Sequence, residues 1–367
     1  MLKNGEIDDI LKQLNIIDNV ICFGAGKRVE LLKDIFAETD ILKKIKYFID
    51  NDSRKYNKKI CINGKLIDII SFCDFKRKKI NNCIILVTPI KYQEILKQLS
   101  EDINTKNITC FCISHLIALL KEKSAMNKKI PSSLKINTKE LIPKVIHYCW
   151  FGKNPLPDKH KKWMESWYKF CPDYKIIEWN ENNYDITKNN YMNQAYEEKK
   201  WGFVPDFARL DIIYNFGGVY LDTDVELINN IDDLLYQKGF AGFESDEYVA
   251  LGLGFGAVKG LPIIKEMLNL YKKINFVDNN GKLNTIASPV WQTKILKQKG
   301  LITNGEYQIV KDLTILPEKV LSGKSASTRR IKLTSYTKAI HHYEGSWLNE
   351  DKKKEFFDFE EEMNGRR

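Results

Sequence analysis

The sequence predicts an α/β protein with two domains, and three observations lead to that prediction. The first 120 residues alternate short apolar, β-branched runs with segments of helical spacing, which is typical of a parallel sheet with crossover helices. Residues 121–140 are polar and rich in lysine, as expected of a linker. All seven tryptophans follow that segment, between positions 150 and 347. A chain of 367 residues has room for two domains of roughly 150 residues each.

The elements of the N-terminal domain can be assigned in order along the chain. Residues 17–23 predict a first strand, residues 31–45 a helix, and residues 46–52 a second strand that ends near Asp50. Residues 81–89 and 108–114 predict two further strands, and residues 92–102 between them predict a helix. This order favours a small doubly wound domain over residues 1–120.

The turn after the first strand has two interpretations. It holds Gly24 and Gly26 but has Val29 where the third glycine of a dinucleotide fingerprint belongs, and Asp50 stands where a ribose-binding acid would follow the second strand. The functional interpretation is a nucleotide or nucleotide-sugar site, and the structural one is a tight turn whose glycines serve only the backbone. The segment resembles the Rossmann-like N-terminal domains of bacterial sugar-modifying enzymes.

Charge and hydropathy exclude several classes of protein. The formal net charge is +10, but no arginine-rich arm, zinc-finger spacing or aromatic RNA-binding signature accompanies it, so we expect no nucleic-acid partner. No apolar run approaches the roughly 20 residues that span a bilayer, and the N-terminus lacks the apolar core of a secretory signal. We therefore expect a cytoplasmic protein.

The most informative stretch is residues 203–230. Asp206 to Phe216 has helical spacing, Gly217-Gly218 ends that helix, and residues 219–221 begin a strand that runs directly into Asp222-Thr223-Asp224. Two carboxylates at positions i and i+2 after a strand can converge on one hard cation. A cation held there would neutralise a diphosphate, as the departure of a sugar nucleotide's diphosphate requires.

Three motifs resemble family 32 of the glycosyltransferases, the DXD-type sugar transferases. They are DFARLDIIYNFGGVYLDTDVE at 206–226, IPKVIHYCWFG at 142–152 and HHYEGSW at 341–347. That family includes capsular polysaccharide enzymes and yeast-type mannosyltransferases, with the clostridial glucosylating toxins as distant relatives. The resemblance implies a GT-A type catalytic domain over residues 141–350, which leaves residues 351–367 as a charged tail.

The resemblance also implies the metal ligands. Asp224 would be the principal ligand, and Asp222 would contact both the ribose and the metal. His342 would be the third ligand, with His341 as the alternative that the sequence leaves open. The cofactor would be Mn²⁺ or Mg²⁺.

The donor site follows from the same resemblance. Asp206 and Arg209 share a helix face and would hold the hydroxyls of the donor sugar, the alternative being a simple intrahelical ion pair. Arg209 would also counter charge on the leaving diphosphate. Trp150, at the end of an apolar strand, would stack on a uracil-type base. Further contacts to the ribose and phosphates would come from Tyr220, Ser346 and Trp347.

The function expected from this sequence is a metal-dependent retaining hexosyltransferase. Its partners would be a nucleotide-sugar donor, with a UDP-hexose favoured, and a glycan or lipid-linked glycan acceptor in capsular or surface polysaccharide synthesis. The tail predicts an amphipathic helix, which either packs on the domain or docks on the inner face of the plasma membrane. Two other classes stay open: a nucleotide-sugar oxidoreductase or epimerase acting through the N-terminal turn, and a non-catalytic scaffold.

Overall fold

The computed structural model of the protein describes residues 2–78, 80, 82–345 and 348–365. The chain divides into two compact units: unit 1 comprises the residues up to Lys123 and those from Glu361 onward, and unit 2 comprises Ser124–Glu360. The division falls inside a helix, Ile113–Asn127, so the first part of the segment expected to be a linker is helical. Farther along that segment, Leu134 is buried in a core of unit 2. The linker at 121–140 and the other domain boundaries stay predictions.

Unit 1 contains a six-stranded sheet in which one edge strand is antiparallel to its neighbour and the other strands are parallel. In chain order its strands are β1 (Asn19–Phe23), β2 (Ile45–Ile49), β3 (Lys59–Ile62), β4 (Lys65–Ile70), β5 (Cys83–Val87) and β6 (Thr109–Cys112). Across the sheet the order is β3-β4-β2-β1-β5-β6. The helices are α1 (Ile7–Ile16), α2 (Leu31–Ile35), α3 (Phe72–Arg77), α4 (Gln93–Glu101) and α5 (Ile113–Asn127).

The helix expected over residues 31–45 is shorter than the sequence spacing suggested. Helix α2 ends at Ile35, and a 3-10 turn at Ile41–Lys44 leads into β2. Between them the hydroxyl and the backbone N–H of Thr39 both donate to the carbonyl of Phe36, at 3.0 and 3.1 Å. A short polar side chain that bonds the backbone in this way competes with helix continuation. The other strands and the helix expected at 92–102 are confirmed within a few residues.

Unit 2 is built around an eight-stranded mixed sheet, flanked by helices, with a separate two-stranded ribbon. Its strands are β7 (Val145–Cys149), β8 (Lys175–Trp179), β9 (Gly218–Tyr220), β10 (Val225–Leu227), β11 (Gly239–Ser245), β12 (Tyr248–Ala250), β13 (Phe255–Ala257), β14 (Gln308–Val310), β15 (Leu313–Leu316) and β16 (Ala339–His341). Its helices are α6 (Asp158–Phe170), α7 (Asn190–Glu197), α8 (Pro205–Phe216), α9 (Pro262–Tyr271), α10 (Ser288–Gln298) and α11 (Glu318–Leu321), followed by α12 (Glu350–Met363).

The topology of this sheet fixes where a ligand site can form. The strand order is β14-β15-β11-β13-β9-β7-β8, with β12 paired to β11 and β10 paired to β16 in the ribbon. Strands β7 and β9 are parallel, β13 runs against both β9 and β11, and β15 is parallel to β11. The carboxyl ends of β7, β9, β11 and β15 therefore meet at one edge, the edge at which α/β proteins bind ligands. We call it the carboxyl edge.

Cores lie on both faces of the sheet because successive strand residues point to opposite sides. Tyr220 joins one core together with Phe207 and Leu210 of α8. Its neighbour Val219 joins the other core, together with Trp167 of α6. Helices α6 and α8 thus hold β9 from opposite faces, which leaves the residues just beyond β9 at a rigid position. The α/β fold class expected from the sequence is confirmed.

Two further features concern the membrane and the tail. Within the described ranges of the chain, no helix is both long and apolar enough to cross a membrane. The tail is largely helical, as α12, and Phe356 packs against a core of unit 2. The guanidinium of Arg329 lies 3.9 Å from the centre of the Phe356 ring, a cation–π geometry that favours packing of this helix.

Candidate active site

The DXD segment follows β9 at the carboxyl edge, and a glycine pair directs it there. Gly217 has φ +69° and Gly218 has φ +104°, so both adopt conformations that other residues rarely take. A Cβ on Gly218 would lie 2.8 Å from the carbonyl oxygen of Val145 and 3.0 Å from Nε2 of His147. The pair therefore allows α8 to end and β9 to enter the centre of the sheet beside β7. The helix and strand expected on either side of the glycines are confirmed.

Asp222, Asp224 and His341 come together beyond the end of β9. One ligand atom from each of the three side chains lies within 4.8 Å of the others. Nε2 of His341 is 3.3 Å from Oδ1 of Asp224, while Oδ2 of Asp224 accepts the backbone N–H of Glu344 at 3.0 Å. Strand pairing explains the contact, because Val225 of β10 is the partner of His341 in β16. Two carboxylates and an imidazole form a donor set that suits Mn²⁺ and similar divalent cations.

His342, the metal ligand that the sequence analysis favoured, is directed elsewhere. Its Nε2 is 2.8 Å from Oε2 of Glu226, and its ring stacks on Trp163 with centres 4.0 Å apart and planes at 10°. Because neighbouring residues at the end of a strand face opposite ways, only one of the two histidines can reach the aspartates. The structure therefore places His341, and not His342, beside the two aspartates, and the identity of the metal ligands stays a prediction.

A buried ion-pair network adjoins the aspartates. Nη2 of Arg209 lies 3.3 Å from Oδ1 of Asp206 and 3.5 Å from Oδ1 of Asp222. The side chains of Arg209 and Asp206 are only 6% and 5% exposed, whereas that of Asp222 is 26% exposed. Arg209 and Asp206 thus form the intrahelical ion pair, but it is buried and the guanidinium also reaches a carboxylate outside its helix, and the role of the pair in holding a donor sugar stays a prediction. Asp222 belongs both to this network and to the cluster with His341.

The electrostatics of the network follow from burial and from the carboxylates around one cation. Burial raises the pKa of Asp206 to about 7, although Arg209 opposes that shift. Burial also raises the pKa of Asp222; Arg209 opposes this rise and Asp224 adds to it. Burial alone would lower the pKa of Arg209, but Asp222, Tyr220 and Asp206 outweigh it and the pKa stands above its ordinary value. Arg209 is therefore a permanent cation here.

Asp224 and His341 shift each other in opposite directions. Burial disfavours the charged carboxylate of Asp224, but His341 and the N–H of Glu344 outweigh it and hold the pKa of Asp224 well below its usual range. Burial likewise disfavours protonation of His341, yet Asp224 and then Asp222 raise the pKa of His341 above 6.5. The Nδ1 atom of His341 is buried without a hydrogen-bond partner among the described residues.

Two residues near the aspartates carry no signal that the sequence analysis detected. A Cβ on Gly252 would lie 2.5 Å from Oδ2 of Asp222 and 3.2 Å from Nη1 of Arg209. His160 of α6 places its Nδ1 2.8 Å from Oγ1 of Thr223, the middle residue of the DXD segment. Both contacts join positions far apart in the chain, so they can be recognised only in the folded structure.

The remaining expected donor residues have different surroundings. Trp150 is half-buried beyond the end of β7 at the carboxyl edge, where its indole N–H donates to the carbonyl of Asn154 at 2.6 Å. Tyr220 is only 1% exposed and lies beneath Arg209, whose guanidinium carbon is 5.3 Å from the ring centre. This burial favours packing of Tyr220 against Arg209 over a contact with a donor, and its role as a donor contact stays a prediction. Ser346 and Trp347 lie outside the described residues.

The N-terminal turn has its polar groups committed within unit 1. One oxygen of Asp50 accepts the backbone N–H of Ala25 at 2.7 Å and the ammonium of Lys55 at 2.8 Å. Gly24 has φ +109°, which the turn requires, whereas a Cβ on Gly26 would meet nothing within 4 Å. The carboxylate expected to bind a ribose thus holds the turn itself. A nucleotide site at Gly24, Gly26 and Asp50 stays a prediction, and these contacts favour the structural interpretation.

Similarity to known proteins bears directly on the DXD site. Residues 157–241 match a family model described as a glycosyltransferase sugar-binding region containing the DXD motif. The chain carries a DXD glycosyltransferase region. A curated relative, inositol phosphoceramide mannosyltransferase 3 of Schizosaccharomyces pombe, is 26% identical over 170 residues, which are 45% of this chain and 46% of that protein. An uncharacterized glycosyltransferase of Acanthamoeba polyphaga mimivirus is 32% identical over 101 residues, which are 26% of this chain and 40% of that protein.

One solved structure is also similar, and its likeness is weak. PaToxG glycosyltransferase is 22% identical, with a TM-score of 0.36, over 50% of this chain and 80% of that one; similarity at that score does not bear on the fold. The chain spans less than half the length of the two curated relatives. The glycosyltransferase region contains Asp206, Arg209 and both aspartates of the DXD segment, whereas Trp150 and His341 lie outside it.

Proposed function

We propose that this protein is a metal-dependent retaining glycosyltransferase that moves a hexose from a nucleotide diphosphate sugar to an acceptor hydroxyl. The observation that carries the proposal is that two clusters of polar side chains lie next to each other at the carboxyl edge. The cluster of Asp222, Asp224 and His341 adjoins the buried pair of Asp206 and Arg209. A scaffold would have no need of a permanent cation buried between two carboxylates, since such burial is costly.

The cation would be held by Asp222, Asp224 and His341, with Mn²⁺ favoured and Mg²⁺ as the alternative. When bound, a divalent cation there neutralises the donor's diphosphate and makes it a better leaving group. His341 must coordinate as the neutral imidazole, because a protonated ring has no free lone pair. Asp224 enters this role already ionised, since its pKa is held low.

The chain's own residues would position the rest of the donor. Asp206 and Arg209 can share the hydroxyls of the sugar, because a guanidinium donates and a carboxylate accepts. The half-buried indole of Trp150 offers a face for the nucleobase. Ser346 and Trp347 complete the donor site by resemblance alone. We favour UDP as the nucleotide on the same ground.

The reaction that we propose is a front-face displacement. The bond between the anomeric carbon and the diphosphate oxygen breaks, the acceptor oxygen bonds to that carbon from the same side, and the hydroxyl proton passes to the departing diphosphate. Arg209 stays protonated and can balance the negative charge that grows on the diphosphate. Positioning and charge neutralisation then supply most of the rate enhancement.

The substrates and setting rest on resemblance and on the relatives' names. The fungal relative is named as a mannosyltransferase for inositol phosphoceramide, so mannose belongs among the candidate hexoses and a lipid-linked acceptor among the candidate acceptors. We propose a role in bacterial capsular or surface polysaccharide synthesis, in the cytoplasm and at the inner face of the plasma membrane. No nucleic acid takes part in this proposal.

The test is a screen of UDP- and GDP-sugars for Mn²⁺-dependent release of the free nucleotide. The Asp222→Asn and Asp224→Asn variants should lose at least about 10²-fold in turnover, because each removes charge where the transition state needs it. Asp312→Asn is the matched control: it neutralises an aspartate that is 55% exposed and paired with Lys238, at the edge of the sheet opposite to the site. Equal turnover in all four proteins would overturn the proposed function.

A further inference from the structure

His160 contacts the DXD segment at its middle residue, Thr223, between the two candidate metal ligands. It lies in the first turn of α6, and its Nδ1 is 2.8 Å from the hydroxyl of Thr223. His160 and Thr223 are each only 8% exposed, so water does not substitute for this hydrogen bond. While the flanking aspartates gather at His341, the residue between them is held in place by His160.

The same imidazole also contacts the aromatic residue expected to bind the nucleobase. The centre of the His160 ring is 5.7 Å from that of Trp150, with the planes at 64°, and 5.4 Å from that of Trp163. Trp163 in turn stacks on His342, so His160 also contacts a stacked aromatic pair. One ring thus touches both the end of β7 and the segment that follows β9.

We propose that His160 is a positioning residue that fixes the distance between the nucleobase platform at Trp150 and the cation site at Asp222 and Asp224. This inference rests on the proposed function, because a nucleoside diphosphate is the ligand that needs a base site and a diphosphate site at a set spacing. The hydrogen bond to Thr223 holds the cation end, and the ring contact holds the base end. A displacement of about 1 Å at either end is enough to cost about 10²-fold in rate.

Two substitutions at His160 separate these contacts. His160→Phe keeps an aromatic ring against Trp150 and removes the hydrogen bond to Thr223. His160→Asn keeps an amide nitrogen near the position of Nδ1 and removes the ring. Thr223→Val removes the same hydrogen bond from the other side at nearly constant volume. The probes are Mn²⁺ with pyrophosphate, which has no base, and Mn²⁺ with UDP or GDP, whichever the wild type binds more tightly.

We expect His160→Phe and Thr223→Val each to weaken both probes about tenfold, as loss of a buried hydrogen bond should. The double variant should also lose about tenfold rather than a hundredfold, because the two single changes remove one shared contact. His160→Asn should weaken the nucleotide more than pyrophosphate. Titration calorimetry measures these affinities, and the KM for the donor should rise in the same pattern.

His147→Phe is the control for a merely structural histidine. His147 is 2% exposed, accepts the indole N–H of Trp179 at 3.0 Å and lies 3.0 Å from the carbonyl of Gly217. Its loss should lower the unfolding temperature and leave both affinities unchanged. Wild-type affinities in His160→Phe, or losses that only track the unfolding temperature, would overturn the positioning role. A wild type that binds neither nucleotide with Mn²⁺ would instead refute the proposed function, and this inference with it.

Discussion

Gly252 offers a sharp test of the geometry around Asp222. It lies in the 3-10 turn Leu251–Leu253, whose first residue donates its backbone N–H to Oε1 of Gln292 at 3.0 Å. Its φ lies outside the left-handed region, so alanine fits the backbone without strain. The added methyl group, however, would lie 2.5 Å from Oδ2 of Asp222. Gly252→Ala is therefore a steric change directed mainly at the carboxylate of Asp222, with Nη1 of Arg209 next nearest at 3.2 Å.

The size of the effect follows from that distance. Ordinary van der Waals contact needs about 3.5 Å, so the carboxylate must withdraw by about 1 Å. A displacement of that size at a reacting centre costs about 10²-fold in rate, and we expect kcat/KM for nucleotide release to fall by that factor. The unfolding free energy should fall by only about 1–2 kcal/mol, because Asp222 can move toward its exposed side.

Nucleotide release and Mn²⁺ affinity, measured beside urea unfolding, check this prediction. The double variant Gly252→Ala/Asp222→Asn should be no slower than Asp222→Asn alone, since both changes act on one carboxylate. Wild-type turnover in Gly252→Ala would mean that the turn yields instead of Asp222, and the reasoning would be refuted. If the double variant lost turnover by the product of the two single-variant factors, Gly252 would act on a group other than Asp222.

Three further predictions address the histidines and unit 1. His341→Asn should weaken Mn²⁺ binding at least about tenfold, and His342→Asn should leave it unchanged. Electron paramagnetic resonance of free Mn²⁺ measures both affinities. The reverse pattern would identify His342 as the ligand. Because Asp224 raises the pKa of His341 above 6.5, protons should compete with Mn²⁺ already above that pH, and affinity should fall by up to about tenfold per pH unit below the raised pKa. A profile that is equally steep in His341→Asn would contradict this. Asp50→Ala should lower the unfolding free energy of unit 1 by about 1–3 kcal/mol, because the turn loses its contacts with the carboxylate. Nucleotide release should stay unchanged. A reduced rate of release would point to a donor site at the turn.

The parts of this protein that could be predicted from sequence are those whose determinants are close together in the chain. Helix α8, the glycine pair, β9 and the DXD segment follow one another within about twenty residues, and each has a local signal in spacing or residue type. The pair of Asp206 and Arg209 is predictable for the same reason, because positions i and i+3 share a helix face.

The parts that could not be predicted depend on register and on contacts between distant segments. The choice between His341 and His342 depends on which of the two side chains points toward the aspartates from the β10–β16 ribbon, and a shift of one residue in register reverses it. Gly252 meets Asp222, and His160 meets Thr223, only after β7, β9 and β12 have been assembled. Helix α2 is shorter than its sequence spacing predicts for a different reason, because the hydroxyl of Thr39 bonds the backbone and competes with the hydrogen bonds of the helix.

Asp222 is the residue through which these distant segments act together. One of its oxygens lies 3.5 Å from Arg209, the other faces Gly252, and the same carboxylate belongs to the cluster with His341. A carboxylate shared in this way cannot adjust to a cation without moving relative to Arg209, nor to Arg209 without moving relative to the cation site. If the proposed function holds, this single side chain links the geometry of the sugar site to that of the diphosphate site, and the absence of a Cβ at Gly252 leaves room for it.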